Sequence, residues 1–147
     1  MFPVKKVVAI LESMWDWRAM TSGAGYQEAP RSFRINRQNF SGRRLYRIVG
    51  DGVNLVVTNS CRELCVSAKH HGTPDPMWLY DNLKILEPFD ALLVCGKIAQ
   101  ATYISSGYVF ARKLEIMHPA ARTWTHAMLD DAAQRVAELL GRTPGVT

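Results

Sequence analysis

Hydrophobic positions fall along this chain in two alternating rhythms. Val4 to Leu11 (VKKVVAIL), Val53 to Thr58 (VNLVVT) and Ala91 to Cys95 (ALLVC) are short runs of β-branched and aliphatic residues, each closed by polar or turn residues. Continuous apolar runs of that length suit strands buried on both faces, as in a parallel sheet. A fourth strand is predicted from Leu114 to Met117, stopping at His118-Pro119. Proline lacks an N–H and disfavours helix at the residue before it.

Between these runs the apolar spacing lengthens to three and four. Ser41 to Val49 predicts a helix capped by Ser41, with Leu45, Ile48 and Val49 on its apolar face and Gly50-Asp51-Gly52 at its end. Pro76 to Leu86, capped by Thr73 or Asp75, carries Trp78, Leu79, Leu83 and Leu86. Gly96-Lys97 makes a tight turn into a helix beginning at Ile98 to Tyr103, a helix start able to hold an anion. Thr125 to Leu140 is amphipathic, with Met128, Leu129, Ala132, Val136, Leu139 and Leu140 inward and Thr123 able to cap it.

Strand and helix thus alternate, which implies an α/β fold: a parallel sheet with helices on both faces. We expect one domain over residues 1–141 and a flexible tail over 142–147. In this geometry every strand's carboxyl end lies on one edge, where such sheets bind ligands. Glu12 to Trp17, Asn59 to Arg62, Gly96-Lys97 and His118 to Arg122 should gather there. An acid, an amide, backbone donors and a histidine around one crevice make a plausible catalytic constellation. The bland alternative for His118 is a strand-end histidine bonded to a backbone carbonyl.

Composition adds little to this until the charges are placed. With 48% apolar and 21% charged residues the chain reads as an ordinary soluble domain. Its net charge of +5 is a mild bias toward an anionic partner. Arg31, Arg34, Arg37, Arg43, Arg44 and Arg47 cluster with no acid among them. Tyr26, Phe33 and Phe40 interleave with that run, in and beside a long polar stretch from Thr21 to Asn39. Aromatics among cations can stack bases while the cations meet phosphates; equally, they can pin a long loop to the core. Trp15 and Trp17 flank Asp16 just past the first strand, as a helix start packed in the core or as part of a site.

Cys61, Cys65, His70 and His71 could in principle supply four zinc ligands, yet their spacing matches no standard pattern, and buried or incidental thiols are favoured. Three cysteines without a signal segment argue for an intracellular, reducing compartment, so a cytoplasmic location is expected. No apolar run approaches the ~20 residues of a membrane helix. A glycine-rich phosphate motif is missing, which weighs against an NTPase.

Several segments, taken in order, resemble the uracil-DNA glycosylase superfamily. Ser41-Gly42-Arg43-Arg44-Leu45 resembles the small-Gly-x-x-Leu helix start after the family's first loop. Val57-Thr58-Asn59 resembles its strand ending in a base-reading asparagine. Leu86-Glu87-Pro88-Phe89-Asp90 through Ala99 resembles its L-x-P-x-hydrophobic-run-G-x-x-A segment, and His118-Pro119-Ala120 its second catalytic motif, His-Pro-Ser. The first motif departs: Leu11 to Asp16 has neither glycine nor proline, and Ala120 replaces the serine.

The resemblance implies a three-layer sandwich around a four-stranded parallel sheet. It implies a DNA base glycosylase acting on uracil or a modified pyrimidine, working as a monomer without cofactor, metal or iron–sulfur cluster. A free nucleotide or nucleoside is a further possible substrate. His118 would stabilise the leaving base and Asn59 would read it; Glu12 or Asp16 would act on water. Phe33 and Phe40 would substitute for the base-stacking phenylalanine, with Trp15 and Arg122 as further substrate contacts. Arg43, Arg44 and Lys97 would meet DNA phosphates. The alternative is a non-catalytic nucleotide- or DNA-binding module that keeps this fold.

Overall fold

The computed structural model describes residues 4–13, 28–64 and 72–142. Among them the chain forms an α/β fold with a four-stranded parallel sheet and four helices. In chain order these are β1 (Lys6–Leu11), α1 (Phe40–Val49), β2 (Asn54–Asn59), α2 (Pro76–Leu86), β3 (Ala91–Cys95), α3 (Lys97–Ser106), β4 (Lys113–Ile116) and α4 (His126–Leu139).

The sheet order is β2-β1-β3-β4, and every pairing is parallel. Its two central strands, β1 and β3, are almost wholly buried, which is why their sequences are continuously apolar. Alternate residues feed two cores. Val7, Ala9, Leu55, Val57, Leu93 and Cys95 face Leu45 and Ile48 of α1 and Leu129 and Val136 of α4. Val8, Ile10, Leu92 and Val94 face Leu79 and Leu83 of α2 and Ala99 and Tyr103 of α3. Parallel pairing forces each crossover over one face, and a constant hand of crossover fixes which face. The chain leaves β1 toward β2 with α1 on one face. It leaves β2 for β3, and β3 for β4, in the opposite direction, so α2 and α3 lie on the other face. The strand order therefore reverses between β1 and β3, the place where such sheets open a crevice beyond their carboxyl ends.

Most element ends differ from the sequence expectation by one or two residues: β1 starts at Lys6 rather than Val4, β4 spans Lys113–Ile116 rather than Leu114–Met117, and at four further places the difference has a local reason. Asn39, and not Ser41, caps α1: its backbone is extended and its Oδ1 accepts from the N–H groups of Ser41 and Gly42. Thr125, and not Thr123, caps α4 by accepting from Met128, while the Thr123 hydroxyl contacts the Met117 sulfur. Helix α3 begins one residue early, at Lys97, because Gly96 takes a φ of 93° that ends β3 and opens the helix at once. Strand β2 runs one residue further than expected, so Asn59 is its last paired residue, opposite Leu11. For α2, Asp75 is the cap, accepting from Trp78.

The polar stretch before α1 is tied down over its described part. Phe33 and Val57 exchange two backbone hydrogen bonds of 2.9 Å, an antiparallel bridge on the outer side of β2. Gly42 lies against the Asn36 carbonyl so closely that any Cβ would collide with it. No helix among the described residues is long and apolar enough to cross a membrane.

Candidate functional site at the carboxyl edge of the sheet

His118 stands two residues past β4, in a turn that three contacts hold. Its own carbonyl accepts from the Trp124 indole N–H at 2.9 Å and from the Ala121 N–H at 2.9 Å. From across the edge, Arg44 of α1 donates to the carbonyls of Pro119, at 2.8 Å, and of Ala121. Gly96 packs on its other side: a Cβ at Gly96 would sit 3.3 Å from the His118 Cβ. So β3, β4, α1 and the approach to α4 all fix the backbone that carries one imidazole.

The ring's chemical state follows from its partners. Nδ1 faces the Ala120 backbone N–H at 3.0 Å and must accept from it. Neutral His118 therefore carries its proton on Nε2, which is left as a donor. Burial lowers the pKa of this histidine below its ordinary 6.5, while the negative charge of Glu12 pulls the other way. Burial prevails, which keeps the ring neutral at pH 7. The side chain at position 120 does not enter this arrangement, because the Ala120 N–H belongs to the backbone.

Glu12 is the first residue beyond β1, half-buried, with its carbonyl bound by the Cys61 N–H at 3.0 Å. Ser60 binds the Leu11 carbonyl through both its N–H and its hydroxyl. These bonds carry the β1–β2 register past the strand ends and hold Glu12 on the same edge as His118.

Asn59 closes β2 and is fully buried, yet among the described residues neither its Oδ1 nor its Nδ2 has a hydrogen-bond partner, a state shared only in part by Asn54 Oδ1 and Trp78 Nε1. A buried polar group without a partner costs about 1–3 kcal/mol, so such groups are rare and call for a cause. By strand alternation its side chain falls on the α1/α4 face, with Val57, Leu55 and the paired Leu11.

The remaining sequence candidates separate. Phe40 opens α1, is 47% exposed, and has the Arg44 guanidinium 4.1 Å and the Arg43 guanidinium 6.0 Å from its ring centroid. Phe33 is an anchor: half-buried, it packs on the core beside β2. Arg43, Lys97 and Arg122 are exposed, Lys97 at the start of α3 and Arg122 in the turn after His118. Arg44, read from sequence as a phosphate contact, spends one guanidinium nitrogen on the His118 turn. Trp15, Asp16, Tyr26, Cys65, His70 and His71 lie outside the described residues. Among the described residues no group of three or more His, Cys, Asp or Glu could hold a metal. Sequence reasoning missed the roles of Arg44 and Trp124 as supports. Only Trp124 left a signal, a tryptophan six residues after a strand-end histidine.

The chain matches no protein-family model and no curated protein.

Proposed function

We propose that the protein is a DNA base glycosylase of the uracil-DNA glycosylase type, cleaving the N-glycosidic bond of uracil or a modified pyrimidine. The observation that carries this reading is Asn59, a fully buried amide with both of its polar atoms unpartnered. It shares one sheet edge with a neutral histidine whose Nε2–H is free to donate. An asparagine amide offers one donor and one acceptor, which is the complement of a pyrimidine carbonyl next to its imide N–H. Because Asn59 is wholly buried, a base reaches it only when the residues over it shift. A nucleotide flipped out of its stack into a closed pocket makes that demand.

The chemistry follows from the charges. The bond between the base nitrogen and the sugar carbon breaks, its electron pair leaves with the base, and the sugar becomes oxocarbenium-like. His118 Nε2–H would donate to the base carbonyl oxygen as negative charge develops there. A neutral donor suits this task, since its hydrogen bond strengthens with the charge on the leaving group. Glu12, or Asp16, would offset the positive sugar and accept the proton of the water that bonds to the sugar carbon. Phe40 would contact the flipped nucleotide and Arg43 and Lys97 the flanking phosphates.

The test is base release from single- and double-stranded oligonucleotides carrying uracil, hydroxymethyluracil, several modified pyrimidines or, as a purine, hypoxanthine, with abasic sites read by alkaline cleavage. Release of a pyrimidine that disappears in His118→Ala is expected. Salt-sensitive binding without release of any base would overturn catalysis and leave the binding-module alternative.

A further inference from the structure

Between α1 and the carboxyl half of α4 lies a groove of about 960 Å³, of whose lining residues the proposed chemistry uses Arg43 alone. Four arginines line it, Arg37, Arg43, Arg47 and Arg142, against one carboxylate, Asp51, and no lysine. Val49, Ala133, Ala137 and Leu140 are among its apolar lining.

The existing charge pairs do not fill it. Arg37 pairs with Asp51 and Arg47 with Asp130, each at 2.7 Å, but the two carboxylates are 90% and 73% exposed. Exposed pairs of this kind contribute little and exchange readily for a better acceptor. Arg43 and Arg142 have no carboxylate partner among the described residues. Arg43 and Arg47 stand one helical turn apart on α1, about 6 Å along its axis, and so present a row of positive charge.

Continuity with the candidate site decides the direction. Arg43 ends the row at the first turn of α1, and its guanidinium shares the Phe40 ring with Arg44. Arg44 in turn holds the His118 turn. The groove therefore leads away from the carboxyl edge of the sheet down the α1/α4 face.

Guanidinium groups recognise phosphates through paired N–H donors. Tyr46 also lines the groove, with the Arg37 guanidinium over its ring, and an aromatic ring among such cations suits the bases that a single strand exposes and a duplex hides. We propose that this groove binds the single-stranded flank of the nucleic acid whose target base enters the Asn59–His118 site. An acidic peptide would answer the charges, but four arginines against the exposed Asp51 and Asp130 call for a ligand of higher charge density. The choice of ligand rests on the glycosylase reading, and it adds a preference for single strands.

The experiment measures affinity of the full chain for labelled oligothymidylates of about 4 and about 16 nucleotides, over a range of salt. The wild type should bind the longer strand more tightly. Arg47→Gln/Arg142→Gln should lose most of that gain while binding the short strand equally. It should also lower the slope of log K against log salt by roughly 1.4, about 0.7 for each lost phosphate contact. No gain with length, an equal gain with duplex, or displacement of the long strand by polyglutamate as readily as by polythymidylate would each overturn the proposal. Base release is scored separately. Release with no length effect sinks the groove and spares the glycosylase reading; a length effect lost in the double variant, with no release of any base, does the reverse.

Discussion

Two neighbouring buried polar residues at the end of β2 have opposite fates. Thr58 faces α2. Its hydroxyl donates to the Arg31 carbonyl at 2.8 Å and receives the Asn82 amide at 3.4 Å, while Arg31 donates to Asn82 Oδ1 at 2.8 Å. One residue on, Asn59 faces α1 and α4 with its amide unpartnered. Burial is complete or nearly so at Thr58, Asn59 and Asn82 alike. On the α2 side the chain brings a loop and a helix together to satisfy Thr58 and Asn82, although the buried Trp78 indole N–H of α2 has no partner among the described residues. On the other side Asn59 lies with Val57, Leu55 and the paired Leu11, and has no side-chain partner among the described residues. That difference is what the proposed base-reading role of Asn59 requires. His118 divides in the same way within one ring: Nδ1 is satisfied by the backbone and Nε2 is open.

The largest effect that would test this contrast is at His118. His118→Ala removes the open donor and should slow base release by about 10²–10³-fold, the usual cost of one oxyanion donor. Single-turnover cleavage under saturating enzyme measures it; an unchanged rate would end the assignment.

Asn59→Leu should separate function from stability. Two hydrogen bonds to the base, at roughly 1–1.5 kcal/mol each, amount to about 100-fold in base release. Since no bond in the folded chain is lost, urea denaturation should show no loss of stability and a gain of roughly 1 kcal/mol. A marked destabilisation would mean that Asn59 has a structural partner after all.

Asn82→Leu is the mirror experiment. It breaks the bond to the Arg31 guanidinium and should destabilise the fold by about 2 kcal/mol in the same titration. Base release by the folded fraction should hardly change. If Asn82→Leu lowered release as much as Asn59→Leu, the two sides of β2 would not be functionally distinct.

The smallest effect is the pH dependence of stability. The pKa of folded His118 is lowered from 6.5, so in acid the unfolded chain takes up this proton first. Stability from this group is complete above about 6.5 and falls as pH drops from there toward the lowered folded value. His118→Gln should flatten that part of the profile. A wild-type curve that instead gained stability on acidification through this range would show the histidine to be charged in the fold.

Much of this was written in the chain itself. The continuous apolar runs of β1 and β3 announced strands buried on both faces, and their alternation with helical spacing required parallel pairing. His118-Pro119 marked a strand end because proline acts locally. Cap identity was less legible, since Asn39 and Ser41, or Thr123 and Thr125, are equally able oxygen acceptors. The backbone conformation reached in the folded chain chooses between them.

What the sequence by itself determined was the kind of element at each place and the gathering of Glu12, Asn59, Gly96 and His118 on one edge. Periodicity and proline chemistry act over a few residues and are visible without the fold. Only the tertiary structure decided which polar groups would be satisfied. Hydrogen-bond satisfaction depends on partners far apart in sequence, such as Arg44 with Pro119 or Asn82 with Thr58, and on their absence around Asn59. The same holds for the state of His118, whose neutrality reflects its burial outweighing the charge of Glu12 across the sheet edge.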